Sequence, residues 1–326
     1  MSNKKTSEDT ELSIIVPMYN EDSGLDIFFR EIERVLENEK LSYEIICIND
    51  GSDDSTLTDL LTHRNRNPAI KIINLSRNFG KEAALSAGLN HCCGRAVIPI
   101  DADLQDPVDL IPELVAKWKE GYDVVYATRT SREKDNFFKR KTAHWFYNIY
   151  NSISARPIPA NTGDFRLIDG SIVDIIKQLP ERNRFMKGLF NWVGFKQTGI
   201  EYTRQERVAG ASKWNYWKLW NFALDGITSF STVPLRICTY LGLLVSATAF
   251  IYMLFLIIRT MIHGIDVPGY ASVMVVVLMI GGIQLTFLGV IGEYLGRVFQ
   301  ETKQRPLYIV SDLYGLNNDE PSTSNG

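Results

Sequence analysis

Apolar and polar positions come in short blocks through the first third of the chain. Leu12-Ser13-Ile14-Ile15-Val16-Pro17 reads as a buried strand, and Met18-Tyr19-Asn20-Glu21 as the turn after it. Residues of about 23–38 place Leu25, Phe28, Phe29, Ile32, Val35 and Leu36 at helical spacing. Tyr43 to Ile48 predicts a second strand ending in Asn49-Asp50-Gly51-Ser52-Asp53-Asp54, with a helix behind it through Leu57, Leu60 and Leu61. Ile70 to Leu75 predicts a third strand, followed by Arg77-Asn78-Phe79-Gly80-Lys81 and a helix to about His91. Ala96 to Ile100 predicts a fourth strand, Val108 to Trp118 a helix, and Asp123 to Tyr126 a fifth strand. Between the fourth strand and its helix, Asp106 suits the N-cap and Pro107 the first helical position. Strands alternating with helices predict an α/β fold: a doubly wound, mostly parallel sheet with helices on both faces.

The pattern changes near residue 233. No charged residue lies between Arg236 and Arg259, and none between Asp266 and Glu293. Each interval supplies the roughly 20 apolar residues that a bilayer crossing needs. Two membrane spans are therefore expected, at about 236–259 and 268–292, joined by a connection without Lys or Arg. The positive residues Arg297, Lys303 and Arg305 lie on the other side, so the charge bias places both termini in the cytoplasm. Arg259, near the outer end of the first span, runs against that bias and can snorkel to the interface. The expected division is a flexible 1–11, a cytoplasmic domain 12–232, two spans within 233–296, and a cytoplasmic tail 297–326. That tail is expected to be disordered from Asn317 onward.

Composition removes several alternatives. A net charge of −3 over 326 residues gives no basic field for nucleic acid. Cys47, Cys92, Cys93 and Cys238 lack zinc-like spacing. Adjacent Cys92 and Cys93 read as small core residues of a protein in a reducing compartment. Met1 to Glu11 has no apolar core and is not a secretory signal. The turn after the first strand holds no glycine, and no Gly-x-x-x-x-Gly-Lys-Ser/Thr loop occurs. Dinucleotide-dependent oxidoreductase and P-loop readings are weak for that reason.

The strand ends carry the candidate chemistry. Asn20 with Glu21, Asn49 with Asp50, and Asp101 with Asp103 would meet at the carboxyl edge of a parallel sheet, where α/β proteins gather ligands. Asp50 there would accept from hydroxyls or a base, as part of a base and ribose pocket. Asp101 and Asp103, followed by Gln105, suit a hard divalent cation and a phosphate-bearing substrate; solvated loop acids are the competing reading. Asp53 and Asp54 read as helix caps. Lys81 opens a helix, where the dipole disfavours a cation and a phosphate partner would offset it. Arg129 and Arg132, after the fifth strand, could bind a second phosphate or be solvated. Lys139, Arg140 and Lys141 precede the aromatic run His144 to Tyr150, which suits a helix at a membrane surface; ordinary packing against the domain is the competing reading. Trp214 to Phe222 forms an aromatic belt beside the first span.

Taken together, Pro17-Met18-Tyr19-Asn20-Glu21, Asn49 to Asp54, Gly80-Lys81 and Asp101-Ala102-Asp103-Leu104-Gln105-Asp106-Pro107 resemble the family 2 inverting glycosyltransferases of GT-A fold. With two spans after the catalytic domain, residues of roughly 12–310 are similar to the polyprenyl-phosphate glycosyltransferases. That group includes the dolichyl-phosphate mannose synthases and, closer to this chain, the bactoprenol glucosyltransferases. The resemblance implies that Pro17, Tyr19, Glu21 and Asp50 line a nucleoside pocket, with Lys81 and Asp101 nearby. It implies that Asp103 ligates Mg²⁺ or Mn²⁺ through its carboxylate and Gln105 through its amide oxygen. Thr162-Gly163-Asp164-Phe165-Arg166 resembles the family segment near sugar and acceptor, with Asp164 positioning the reacting groups. Arg204 to Trp214 resembles a Gly-x-Ser-Lys-aromatic lid, whose Arg207, Ser212 and Lys213 would contact the donor. The Gln-x-x-Arg-Trp motif of processive synthases is missing, which implies transfer of a single sugar. The implied reaction moves glucose from UDP-glucose to a polyprenyl phosphate. GDP-mannose, UDP-GlcNAc, a UDP-aminoarabinose derivative, or an inactive nucleotide-sugar-binding scaffold are the alternatives. Self-association through Gly281, Gly282, Gly289, Gly292 and Gly296, and a separate flippase acting on the product, complete the expectations.

Overall fold

The computed structural model describes residues 10–129, 162–182, 184, 186–202, 233–263 and 269–316. They belong to two compact units, Met1–Trp220 with Arg305–Gly326, and Asn221–Gln304.

The first unit is built on one sheet of eight strands: β1 (Leu12–Met18), β2 (Tyr43–Asn49), β3 (Ile70–Leu75), β4 (Ala96–Pro99), β5 (Val124–Arg129), β6 (Thr162–Asp169), β7 (Gln197–Tyr202) and β8 (Val310–Tyr314). Their order is β7-β5-β6-β4-β1-β2-β3-β8. The central four pair in parallel, with Leu12 opposite Tyr43 and Ala96, and Ile45 opposite Ile70. This bears out the doubly wound reading. β6 is antiparallel to β4 and β5, and β8 is antiparallel to β3. β7 runs parallel to β5.

The central strands are buried on both faces, which is why they read as continuous apolar runs. Ile14, Val16, Ile45, Ile72 and Ile98 form the core with Phe28, Phe29, Ile32 and Leu36 of α1 (Leu25–Glu39). The α2 helix (Thr56–Arg66) follows β2, and α3 (Lys81–His91) follows β3. At Gly88 a Cβ would lie 2.4 Å from Ile15 Cγ2 and 2.9 Å from Ile48 Cδ1, so α3 needs glycine to lie this close to the sheet. α4 (Ile111–Lys119), α5 (Gly170–Gln178) and α6 (Met186–Trp192) complete this unit. The second unit holds α7 (Val233–His263) and α8 (Tyr270–Thr302).

Four expectations change. Pro107 does not open a helix: a single 3₁₀ turn at Val108–Leu110 intervenes, and α4 starts at Ile111 with Pro112 in its first turn. Asp106 is buried and accepts from the Tyr202 hydroxyl at the end of β7, and the N-cap of the 3₁₀ turn is Pro107. Cys93 is exposed while Cys92 is buried, because the Cys93 N–H turns inward to Glu44. The segment read as a tail from residue 297 continues α8 to Thr302 and then supplies β8.

Among the described residues, one segment is long and apolar enough to cross a membrane, Met279–Thr302 within α8. A shorter apolar stretch, Cys238–Tyr252, lies in α7. The expected spans at 236–259 and 268–292 fall largely inside these helices. The helices carry exposed apolar side chains such as Leu243, Ile251, Leu285 and Leu295. Residues 139–150, 214–222, 264–268 and the chain from 317 lie outside the described residues.

Candidate active site

Parallel pairing sends the ends of β1, β2, β3 and β4 to one edge. Because β6 is antiparallel to β4, its first residues, Thr162 to Asp164, reach the same edge. The ends of β5 and β7, with Arg129 and Tyr202, lie there as well. Side chains far apart in sequence meet as a consequence.

Lys81, at the first position of α3, lies 2.7 Å from Asp101 Oδ1 and 2.7 Å from Asp164 Oδ2. Its ammonium also donates to Asp101 Oδ2 at 2.8 Å. Burial opposes the lysine's charge, but Asp164 and Asp101 outweigh it and hold Lys81 well above the ordinary lysine range. Burial pushes Asp101 up; the neighbouring Asp164 and Asp103 push the same way, and Lys81 pulls against them. Lys81 is thus held between two carboxylates that the sequence places 20 and 83 positions away. Asp101 remains about 40 % exposed and Asp164 17 %.

Asp103 follows in a tight turn. Its Oδ1 accepts the Gln105 N–H at 3.2 Å, and Leu104 between them has φ 53°. A leucine in the left-handed region costs about 1–3 kcal/mol and persists only where the surroundings impose it. Asn20, in the turn after β1, also lies there, at φ 55°. Asp164 is held at the start of β6 by Arg166, which is buried, donates to the Gly163 carbonyl at 2.7 Å and lies over the Phe190 ring at 4.9 Å.

Asp50 is buried, and its two oxygens accept the N–H groups of Phe79 and Gly80 at 2.7 and 2.9 Å. Burial raises its pKa, and those two bonds only partly offset the effect. The carboxylate expected to receive hydroxyls or a base is therefore also the clamp that shapes the loop before Lys81. Two ionised oxygens offer about four acceptor sites, so two bonds do not exhaust it. Gly51 stands beside it at φ +65°, where a Cβ would meet the Arg77 backbone at 2.4 Å.

The turns around this loop are cross-tied. Ser52 Oγ accepts the Asn20 N–H at 3.0 Å, Asn20 Oδ1 accepts the Asp53 N–H at 3.0 Å, and Thr56 Oγ1 accepts the Glu21 N–H at 3.0 Å. Asp54 accepts the Thr56 N–H at 3.0 Å from one position before Ser55, the N-cap of α2. Pro17 lies within β1, and Tyr19 is exposed. The backbone of Arg129 ends β5 at this edge. Arg132, Arg207, Ser212 and Lys213 lie outside the described residues.

The residues of this edge suit a hard cation. Among the described residues no group of three His, Cys, Asp or Glu forms a metal cage. A Mg²⁺-like ion held mostly by substrate phosphates needs only one or two protein oxygens, and the Asp103–Gln105 turn offers them. Sequence reasoning missed the Asp101–Lys81–Asp164 bridge and the tie from Asp106 to Tyr202. Neither partner of Lys81 lies within one helical turn of it in the chain.

The model of the glycosyl transferase family 2 domain matches residues 13–175, and that of the GtrB C-terminal hairpin matches residues 233–298. An uncharacterised glycosyltransferase of Synechocystis sp. is 60 % identical over 306 residues, 94 % of this chain and 96 % of its own length. The bactoprenol glucosyl transferase of Shigella phage SfX is 50 % identical over 300 residues, 92 % of this chain and 98 % of its own. Glucosyl-3-phosphoglycerate synthase from Mycobacterium tuberculosis, solved with Mn²⁺, UDP and glucosyl-3-phosphoglycerate, is similar at 17 % identity. The match covers 67 % of this chain and 78 % of that one, at a TM-score of 0.42. The resemblance first carried by the strand-end motifs therefore stands, and the chain belongs to the family 2 glycosyltransferases, with the C-terminal hairpin of the GtrB type.

Proposed function

We propose that this glycosyltransferase moves one glucose from UDP-glucose to a polyprenyl phosphate at the cytoplasmic face of the membrane. The observation that carries the reading is the cluster of carboxylates around Lys81 at the sheet's carboxyl edge. Asp101 and Asp164 both pair with Lys81, and Asp103 follows in the next turn. Such an edge suits a divalent cation bringing a diphosphate with it. The 50 % identity to a bactoprenol glucosyl transferase supports glucose and a polyprenyl acceptor.

In this reading a lipid phosphate oxygen attacks the anomeric carbon while the bond from that carbon to the nucleoside diphosphate breaks, which inverts the configuration. A phosphate monoester is already anionic near neutral pH, so the nucleophile needs little deprotonation. The demanding part is the charge that grows on the leaving diphosphate. Asp103 and Gln105 would hold Mg²⁺ or Mn²⁺, which supplies Lewis-acid neutralisation of that charge when bound. Lys81 adds a fixed positive charge beside it, and Asp164 orients the sugar and acceptor. Pro17, Tyr19, Glu21 and Asp50 frame the nucleoside. Arg129 meets the acceptor phosphate, and Arg207, Ser212 and Lys213 close over the donor. The exposed apolar side chains of α7 and α8 support anchoring in a bilayer, and the uncharged intervals and charge bias of the sequence support two spans with both termini cytoplasmic. Their glycines at 281, 282, 289, 292 and 296 support self-association, which cross-linking in gentle detergent tests. A separate flippase would then carry the product across.

The deciding experiment uses the full chain in detergent with polyprenyl phosphate, Mg²⁺ or Mn²⁺, and a panel of labelled UDP- and GDP-sugars. Label should enter an organic-extractable lipid from UDP-glucose. Transfer only from GDP-mannose, UDP-GlcNAc or an aminoarabinose donor reassigns the sugar. No transfer from any donor sinks the enzymatic reading.

A further inference from the structure

The strand beyond the two long helices has no part in the reading so far. β8 covers the outer edge of β3, with Asp312 opposite Asn74 and Tyr314 opposite Ile72. Its approach is fastened three times. Arg182 donates to the Arg305 carbonyl at 2.7 Å, Asn90 to the Tyr308 hydroxyl at 2.9 Å, and the Ser76 N–H to the Ile309 carbonyl at 2.9 Å. Covering an exposed strand edge needs backbone pairing alone. Here a line of side chains continues inward from it.

Asp312 Oδ2 accepts from Asn74 Nδ2 at 2.9 Å, and Asn74 Oδ1 accepts from Asn49 Nδ2 at 2.8 Å. Asn49 Oδ1 accepts the Ser52 N–H at 3.3 Å, and Ser52 Oγ accepts the Asn20 N–H at 3.0 Å. The line thus crosses from β8 over β3 and β2 to the turns after β2 and β1. Each asparagine amide has a donor end and an acceptor end. The ionised Asp312 side chain only accepts, while the Ser52 N–H only donates, so both ends of the line impose one orientation on the two amides. Aligned bonds of this kind polarise one another.

We propose that Asp312 is a positioning residue for donor binding. Through Asn74 and Asn49 it holds the 49–54 loop and Asn20 in the form that receives the nucleoside diphosphate. This rests on the donor site argued under Proposed function. Asp312 lies 238 positions beyond Asn74, so the loop is set only once the chain has passed through both long helices.

The test compares full-length wild type, Asp312→Ala and Asp312→Asn in detergent. The measurements are donor KM and kcat, calorimetry with UDP, and amide hydrogen exchange over residues 49–54. Asp312→Ala should raise donor KM and UDP Kd about fivefold, the loss expected of one net hydrogen bond. It should leave kcat within about twofold, and exchange at 49–54 should quicken. Asp312→Asn keeps an accepting oxygen and should restore wild-type values. Unchanged KM and exchange in the alanine variant would overturn the proposal, as would equal damage in the asparagine variant. A fall in kcat and melting temperature with KM unchanged would overturn it too. If wild type bound no nucleoside diphosphate while exchange still responded, the donor-site reading would fail and the positioning of the loop would stand.

Discussion

Two carboxylate–lysine clusters lie at opposite ends of the same sheet and are built to different rules. At the amino end, Glu44 near the start of β2 is 1 % exposed. It accepts from Ser13 Oγ and Lys71 Nζ at 2.5 Å each and from the Cys93 N–H at 2.8 Å, while Ser13 Oγ accepts the Gly94 N–H at 2.8 Å. One acid faces one cation, and three elements are stapled by it. At the carboxyl end, Asp101 and Asp164 divide one lysine, Asp103 stands close by, and Asp101 stays open to solvent. The closed cluster is complete within the protein and serves the fold. The open one gathers Asp101, Asp103 and Asp164 near Lys81 at the edge where α/β proteins collect ligands, the setting a metal-bound diphosphate would use.

Substitution should separate the two ends sharply. Asp103→Asn removes the proposed metal oxygen's charge without emptying the core. It should lower sugar transfer about 100- to 1000-fold, the scale of losing one preorganised charge-stabilising group. Its melting temperature should stay at the wild-type value. Full transfer in this variant, measured as label in extracted lipid, would remove the metal assignment and the contrast with it.

Glu44→Ala should do the reverse. It strands Lys71 and leaves the Ser13 hydroxyl and Cys93 N–H without their acceptor, at a cost of about 3 kcal/mol for breaking a buried pair. Denaturant unfolding of the detergent-solubilised chain measures the loss, and activity per folded molecule should hold. A variant that kept its stability but lost transfer would show that the amino end also serves catalysis.

How far the two ends were legible in the sequence follows from the range of their contacts. β1 to β4 were readable because burial on both faces leaves uninterrupted apolar runs, such as Ile14-Ile15-Val16 and Ile45-Ile46-Cys47-Ile48. β7 and β8 pair at the flanks of the sheet, and their Gln197-Thr198-Gly199 and Val310-Ser311-Asp312 beginnings carry no such run. The acids at the carboxyl edge were visible as strand-end residues. Their partners were not: Asp50 clamps N–H groups 29 and 30 residues away, and Asp106 takes a hydroxyl 96 residues away. Spacing along a chain reports a side chain's neighbours within a turn or a strand, whereas these contacts depend on which strand the sheet places alongside.

Gly51 tests the carboxyl end through its backbone. Gly51→Ala adds a Cβ at φ +65°, 2.4 Å from the carbonyl carbon of Arg77. Either the 49–54 loop or the Arg77 segment must move, costing about 2 kcal/mol. Because Asp50 holds the loop before Lys81, the same shift should raise donor KM. A stability loss with KM unchanged would mean that the loop is structural only.

The smallest expected effect is at Asp169, which the antiparallel β6 brings opposite Ala96 at the amino end. Its Oδ2 accepts from Trp118 Nε1 at 2.8 Å, and its Oδ1 accepts from the Ser171 N–H and hydroxyl at 2.9 and 2.6 Å, capping α5. Partial burial works to raise its pKa, but the Ser171 and Trp118 bonds prevail and hold it below the ordinary carboxylate value. The sign follows from that. A group whose folded pKa is depressed stabilises the fold above its unfolded value, near 3.9, and the contribution drains away as pH falls through the lower folded value. Asp169→Ala should therefore cost about 1 kcal/mol at pH 7, the scale of a lost helix cap. The difference from wild type should shrink as unfolding is repeated toward pH 3. A gap that stayed constant across that range would mean that Asp169 acts by packing rather than by charge, and the amino end would then differ from the carboxyl end by its burial alone.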